Sequence, residues 1–135
     1  MNSFASVSLS PPLVLWSLAV SATSLPLFRA ARYHAINVLG AEQRAMASRF
    51  ASRQADRFAG SDWRTGPFDT VLLEGARSHL VCDLRDAREA GDHVILLCEV
   101  IYLRRNEGAP LIFQAGAFAT TAALPDCARR SPSAA

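Results

Sequence analysis

The tripeptide Gly91-Asp92-His93 sets an imidazole at the mouth of a long apolar run, Val94-Ile95-Leu96-Leu97-Cys98-Glu99-Val100. A histidine there could orient a ligand or move a proton near neutral pH, although a turn histidine before a strand is more often simply solvated. Ser21-Ala22-Thr23-Ser24 comes directly after an apolar strand pattern and just before Pro26, the signature of a helix start. Backbone N–H groups at such a start favour a phosphate. The same residues make an ordinary N-cap, and on the residues alone that is the better reading. Asn2, Ser3, Ser6, Ser8 and Ser10 place an amide and four hydroxyls ahead of Pro11-Pro12. They could bind a ligand's polar edge, and any exposed loop also carries such groups.

Other chemistries are excluded. Serines, His93 and Asp92 all occur, yet no Gly-x-Ser-x-Gly elbow is present for nucleophilic hydrolysis. Asp83, Asp86 and Glu89 form no paired-carboxylate pattern. His34, His79 and His93 have no metal-ligand spacing, and His34 and His79 read as structural or exposed. All 14 basic residues are arginine. The lack of lysine rules out a Walker-type phosphate lysine and Schiff-base chemistry, and leaves arginine as the one permanently charged partner for a phosphate. Cys82, Cys98 and Cys127 fit no zinc motif. Cys82 and Cys98 lie inside apolar strand patterns and read as small buried hydrophobes, which suits a reducing cytoplasm.

With 135 residues, 50% hydrophobic and 19% charged, the chain is one globular domain. A net charge of +2 gives no field for nucleic acid or a membrane surface. The apolar stretch from Leu13 to Ala22 is too short to span a bilayer. It follows no positive charge and is preceded by Pro11-Pro12, which argues against a signal peptide.

The elements that must position these groups are readable in outline. Leu13 to Leu18 reads as a buried strand and Ser24 to Arg32 as a short helix. His34 to Leu39 is a second strand, closed by Gly40. Ala41 to Arg53 predicts a helix, with Glu42 near its start and arginines toward its end. Gly60 to Asp69 reads as a turn-rich loop. From Arg77 to Arg85 residues alternate, with Ser78, Leu80, Cys82 and Leu84 on one face and Arg77, His79, Asp83 and Arg85 on the other. Arg88 to Asp92 reads as a turn, Val94 to Leu103 as a long strand, and Leu111 to Gln114 as a strand after the Asn106–Pro110 turn. The pattern predicts a mainly β fold, an antiparallel barrel with short helices. From Thr120 onward the composition predicts a disordered tail.

Several segments, in this order, resemble the flavin reductase family: the opening Asn2-Ser3-Phe4-Ala5-Ser6-Val7-Ser8-Leu9-Ser10-Pro11-Pro12-Leu13-Val14-Leu15, Ala35 to Leu39, Arg49-Phe50-Ala51-Ser52-Arg53, Asp56 to Gly60, Leu73 to Ala76, and Gly91-Asp92-His93. Each alone is weak, and the ordered set is specific. The resemblance implies an FMN-binding split β-barrel of Greek-key type, usually a cytoplasmic homodimer. It implies a domain over residues 1–119, incomplete at its N-terminus because that family has a helix and its first barrel strands before the opening motif, and then a tail over residues 120–135.

The resemblance further implies an NAD(P)H:flavin oxidoreductase, using NADH or NADPH and FMN or FAD, that passes reduced flavin to a partner monooxygenase. By the same resemblance Asn2, Ser3, Phe4 and Ala5 line the flavin ring. Ala19, Val20, Ser21, Ala22, Thr23 and Ser24 hold its phosphate, with Ser52, Arg53 and Phe58. His93 lies by the nicotinamide in an orienting or proton-donating role, with Phe113, Gln114 and Gly116 near the same dinucleotide. Cys98 stands where the family usually has glycine, and Gln114-Ala115 where an aromatic or histidine and a basic residue are common. Two alternatives stay open: a flavin-binding protein without nicotinamide chemistry, and a truncated inactive fragment.

Overall fold

The computed structural model describes residues 4–52 and 56–121. Its strands are β1 (Phe4–Leu9), β2 (Pro12–Ala19), β3 (Tyr33–Val38), β4 (Trp63–Thr65), β5 (Val71–Leu73), β6 (Ser78–Ala90), β7 (His93–Arg105), β8 (Leu111–Gln114) and β9 (Ala117–Thr120). Its helices are α1 (Leu25–Ala30) and α2 (Arg44–Ala51), the latter entered through a 3-10 turn at Ala41–Gln43. The main sheet is antiparallel, in the order β1-β2-β7-β6-β3, while β4-β5 and β8-β9 form separate two-stranded ribbons.

That sheet is curled. Trp16 on β2 and His34 on β3 stand three strands apart in its order, roughly 14 Å in a flat sheet, yet their ring centroids are 5.5 Å apart. The concave side encloses Val14, Trp16, Ile36, Cys82, Val94, Leu96 and Cys98. From below, α1 plugs it with Leu25 and Phe28. Phe28 meets the Trp16 ring edge-on at 4.9 Å. The result is the mainly β barrel-like fold that the alternation predicts, with β1 and β3 as the two edges of the sheet.

Inside this core His34, which is 3% exposed, links the end of α1 to β7. Its Nε2 lies 2.9 Å from the Phe28 carbonyl and 3.1 Å from that of Ala31, so Nε2 carries the proton and caps the end of α1. Nδ1 is then the acceptor, and the Cys98 thiol donates to it at 3.7 Å. Burial pushes the Cys98 thiol up to about 11 and that of Cys82 up to about 12, so both stay neutral. Burial also holds the His34 imidazole below its ordinary 6.5, against the pull of the two carbonyls.

The sign of the resulting pH dependence follows. The unfolded chain takes up a proton on His34 as pH falls through 6.5, and the folded chain does so only at lower pH. Stability from this group is full above 6.5 and declines below it. Urea midpoints should therefore fall between pH 7.5 and pH 5.5, as the unfolded chain takes up a proton that the folded chain resists. His34→Gln should flatten that part of the profile, and an unchanged slope in the variant would assign the loss elsewhere.

The structure corrects several sequence expectations. The Ser-rich opening is not a loop: Phe4–Leu9 pairs with β2, Phe4 opposite Trp16 and Ala5 opposite Leu15. A long apolar neighbour supplies the pairing that its own composition does not suggest. The Gly60–Asp69 stretch contains β4. The predicted helix to Arg53 ends at Ala51, with Ser52 as its C-cap. Alternation in β6 is broken by irregularities at Val81/Cys82 and Leu84/Asp86, so Val81, Cys82 and Asp83 are all buried. His79 is buried rather than on a polar face, with Nε2 2.8 Å from the Leu73 carbonyl. β6 runs on to Ala90, so the turn is only Gly91-Asp92. Thr120 closes β9 rather than opening a tail, and residues 122–135 lie outside the described residues.

Candidate functional site

β2 and β7 run antiparallel from Leu13↔Glu99 to Ala19↔His93. The pairing continues one step past the strands, where the Val20 N–H donates to the Asp92 carbonyl at 2.9 Å. The Gly91-Asp92-His93 turn and the start of the Ala19–Ser24 segment are therefore side by side. Neither was placed there by local sequence. What brings them together is the β2–β7 register, which is fixed because a one-residue slip would expose Val94, Leu96 and Cys98.

The turn itself needs Gly91. Its φ is +64°, with nothing within 4 Å of the place a Cβ would occupy, so its demand is conformational rather than steric. The His93 side chain is 45% exposed, and its Nδ1 is 2.7 Å from the Asp92 carboxylate. That hydrogen bond holds the Asp92 carboxyl below the usual carboxylate range.

Beyond Ala19 the chain turns into α1. The Ala22 N–H donates to the Ala19 carbonyl and the Leu25 N–H to that of Ala22. Val20, Ser21 and Thr23 are exposed. Ser24 is the N-cap residue but makes no side-chain cap hydrogen bond, so the ordinary-cap reading does not account for its hydroxyl. With only six residues α1 has a small dipole. The donor set that fits a phosphate here is the run of hydroxyls on Ser21, Thr23 and Ser24 together with the turn's amides.

Phe4 and Ala5 lie on β1, exposed, against Trp16 and Leu15 of β2. Trp16 is three residues, about 10 Å, from Ala19 along β2. A ligand with a flat ring at one end and a phosphate at the other fits that separation, and the small side chains of Ala5, Ser6 and Ser8 leave room for a ring. Asn2, Ser3 and Arg53 lie outside the described residues.

Ser52 caps the C-terminus of α2, and Phe58 follows it in the chain. The Ser52 hydroxyl donates to the Arg49 carbonyl at 2.7 Å. The Arg49 guanidinium ties the next turn by donating to the Ala59 carbonyl and to the Ser61 hydroxyl. Phe58 packs edge-on to Phe50 at 5.1 Å. Both line a cavity of about 650 Å³ with Phe28, Tyr33 and Phe68. Sequence reading misses this aromatic cluster, because its members come from separate elements with no shared period. The Tyr33–Phe68 stack, at 4.2 Å, depends on Phe68 and Asp69 holding φ values of +58° and +56°, a strained pair for non-glycine residues.

Phe113, Gln114 and Gly116 form the β8–β9 hairpin, whose tip has Ala115 and Gly116 at φ +50° and +80°. Its anchors are at residues 39–44: the Leu111 N–H donates to the Leu39 carbonyl, Pro110 bridges to Gly40, and Arg44 lies over the Phe118 ring. That is the Ser78/Arg105 end of the β6–β7 ribbon, whereas His93 pairs with Ala90 at the other end. Twelve residues of β7 separate the two rows, roughly 40 Å if straight. One chain does not pin the hairpin beside His93.

Among the described residues no helix is long and apolar enough to cross a membrane.

Comparison with known proteins gives one consistent result. Residues 1–122 match the family described as Flavin reductase like domain. The chain is 42% identical over 118 residues to the FMN reductase (NADH) SmoA of Agrobacterium fabrum, covering 87% of this chain and 67% of that protein. It is 36% identical over 118 residues to the flavin-dependent monooxygenase reductase subunit HsaB of Rhodococcus jostii, covering 87% of this chain and 60% of that one. The chain thus spans about two thirds or less of these relatives' own length. Among solved structures, the Streptomyces globisporus NADH:FAD oxidoreductase SgcE6, in complex with NAD and FAD fragments, superposes with a TM-score of 0.85 at 38% identity, over 94% of this chain and 77% of that one. The fold, the ordered motifs and these matches agree that the chain belongs to the flavin reductase family.

Proposed function

We propose that the chain is an NAD(P)H-dependent flavin oxidoreductase that binds FMN or FAD along β1 and the Ala19–Ser24 turn and supplies reduced flavin to a partner monooxygenase. The observation that carries the reading is the Ala19↔His93 row with its Val20–Asp92 hydrogen bond, which seats an imidazole beside the hydroxyl-rich turn. Nicotinamide and flavin supply the hydride chemistry themselves. This chain's residues bind and orient: β1 offers Phe4 and Ala5 to the ring, Ser21, Thr23 and Ser24 hydrogen-bond the phosphate, and His93 sets the nicotinamide at reacting distance.

The chain acts in the cytoplasm as a homodimer. The dimer reading is supported by the hairpin's anchorage at the far end of the ribbon. For Phe113, Gln114 and Gly116 to serve the same dinucleotide as His93, they come from a second copy. Gln114-Ala115 favours one other reading, a flavin-binding protein in which nicotinamide affinity is lost.

NADH oxidation by the purified chain, with and without added FMN, tests the proposal. Flavin-dependent turnover is the expected result. Flavin binding by the folded chain without NADH oxidation would establish the second reading, and folded chain that binds no flavin would sink both. The phosphate site has its own test. Thr23→Ala should weaken FMN by about 1.5 kcal/mol, roughly tenfold, through one lost hydrogen bond to a charged group. Riboflavin, which lacks the phosphate, should bind as before. Equal loss for both ligands would remove the phosphate from this turn.

A further inference from the structure

We propose that Asp92 is a positioning residue for His93: its carboxylate accepts the Nδ1 proton, fixes the imidazole tautomer and ring orientation, and leaves Nε2 to meet the nicotinamide. The inference rests on the function proposed above and adds a role for a residue whose side chain that reading does not use.

The geometry has two independent parts. The first is the 2.7 Å contact between Asp92 Oδ1 and His93 Nδ1, within the range of a charge-assisted hydrogen bond. The second is that neither backbone is free to drift. His93 is locked in the row opposite Ala19, and the Asp92 carbonyl accepts from the Val20 N–H at 2.9 Å. The two-residue turn has no slack, with Gly91 already in the left-handed region at φ +64°. The carboxylate therefore reaches the imidazole from a fixed point rather than from a mobile loop.

Folding does not explain the pair. The Asp92 side chain is 95% exposed, and an ion pair in that setting adds little to stability. The carboxylate acts on the ring it touches. A neutral imidazole carries one proton, on either nitrogen, and the hydrogen bond at one nitrogen decides which. With the proton on Nδ1, Nε2 is an acceptor suited to the carboxamide N–H of a nicotinamide. Without Asp92, the proton moves to Nε2 for part of the time and that acceptor is lost.

The test is Asp92→Asn, alone and combined with His93→Ala, assayed with NADH and FMN. Alongside, long-range 1H–15N NMR of the His93 ring is recorded well above the histidine titration range. In the single variant kcat is expected to fall about fivefold to tenfold, at the weak end of what supporting carboxylates contribute because this one is exposed. KM for both ligands and the urea midpoint should stay within about twofold and unchanged, respectively. In the His93→Ala background Asp92→Asn should add nothing. The ring spectrum should show the proton on Nδ1 in the native chain and a mixture of tautomers in Asp92→Asn. An equal loss with and without His93, or a native ring protonated at Nε2, would overturn the proposal. If the native chain shows no flavin-dependent NADH oxidation, the proposed function fails while the ring spectrum still decides the role of Asp92.

Discussion

Trp16→Ala is expected to cost ~3–5 kcal/mol of unfolding free energy, the range for deleting a buried tryptophan. Trp16 is 4% exposed and is the joint of the curled sheet. It touches Phe28 of α1 at 4.9 Å and His34 of β3 at 5.5 Å while standing on β2 in the row of Leu96. Its removal leaves a cavity where three elements converge, and neighbours held by strand pairing collapse into it only partly. Small domains have about 5–15 kcal/mol in total, so the loss is a large share. It should appear as a fall in Tm on the order of 15 °C. Leu103→Ala, at 63% exposed on β7, is the control and should change stability by about 0.5 kcal/mol or less. Urea or thermal unfolding of the two variants checks this. A Trp16→Ala loss below about 1 kcal/mol would mean that β2 and β3 do not meet across the concave side.

The same residue shows how far the sequence reaches. Leu13 to Leu18 declares a strand because apolar residues fill both of its faces, and Val94 to Leu103 does so for the same reason. The curl is not legible, since nothing local to Trp16 names His34 as its neighbour. Phe4–Leu9 escapes as a strand because both of its faces are largely exposed and its pairing partner carries the apolar signal. In β6 the alternation misleads from Val81 to Asp83, where an irregularity in the ladder turns three successive residues inward. There the buried Asp83 is held below the usual carboxylate range by hydrogen bonds from Arg32, with Arg85 as a second partner. No spacing rule finds such a trio. The candidate site divides in the same way. Gly91-Asp92-His93 and Ser21–Ser24 are visible as turn and helix-start chemistry. Their adjacency is a property of strand register. The aromatic cavity around Phe58 exists only through tertiary packing.

His93→Ala is expected to lower kcat for NADH-dependent flavin reduction by about 10²-fold, ~2.7 kcal/mol of transition-state stabilisation, the lower end for a positioned imidazole. FMN affinity should stay within about twofold, because the hydroxyls of Ser21, Thr23 and Ser24 and the β1 surface are untouched. The fold should also survive. His93 begins β7 with a side chain 45% exposed, and its structural contribution is the backbone pairing opposite Ala19, which alanine keeps. A split between kcat and flavin binding is therefore the signature of an imidazole acting on the nicotinamide rather than on the flavin phosphate. Steady-state kinetics with flavin titration on the same preparation measures both quantities. If flavin binding fell with turnover, His93 would belong to the phosphate end of the site, which begins at its row partner Ala19. If neither changed, the imidazole would be the solvated turn residue that its sequence position alone suggests. The Ala19↔His93 row would then be a feature of the barrel and not of its chemistry.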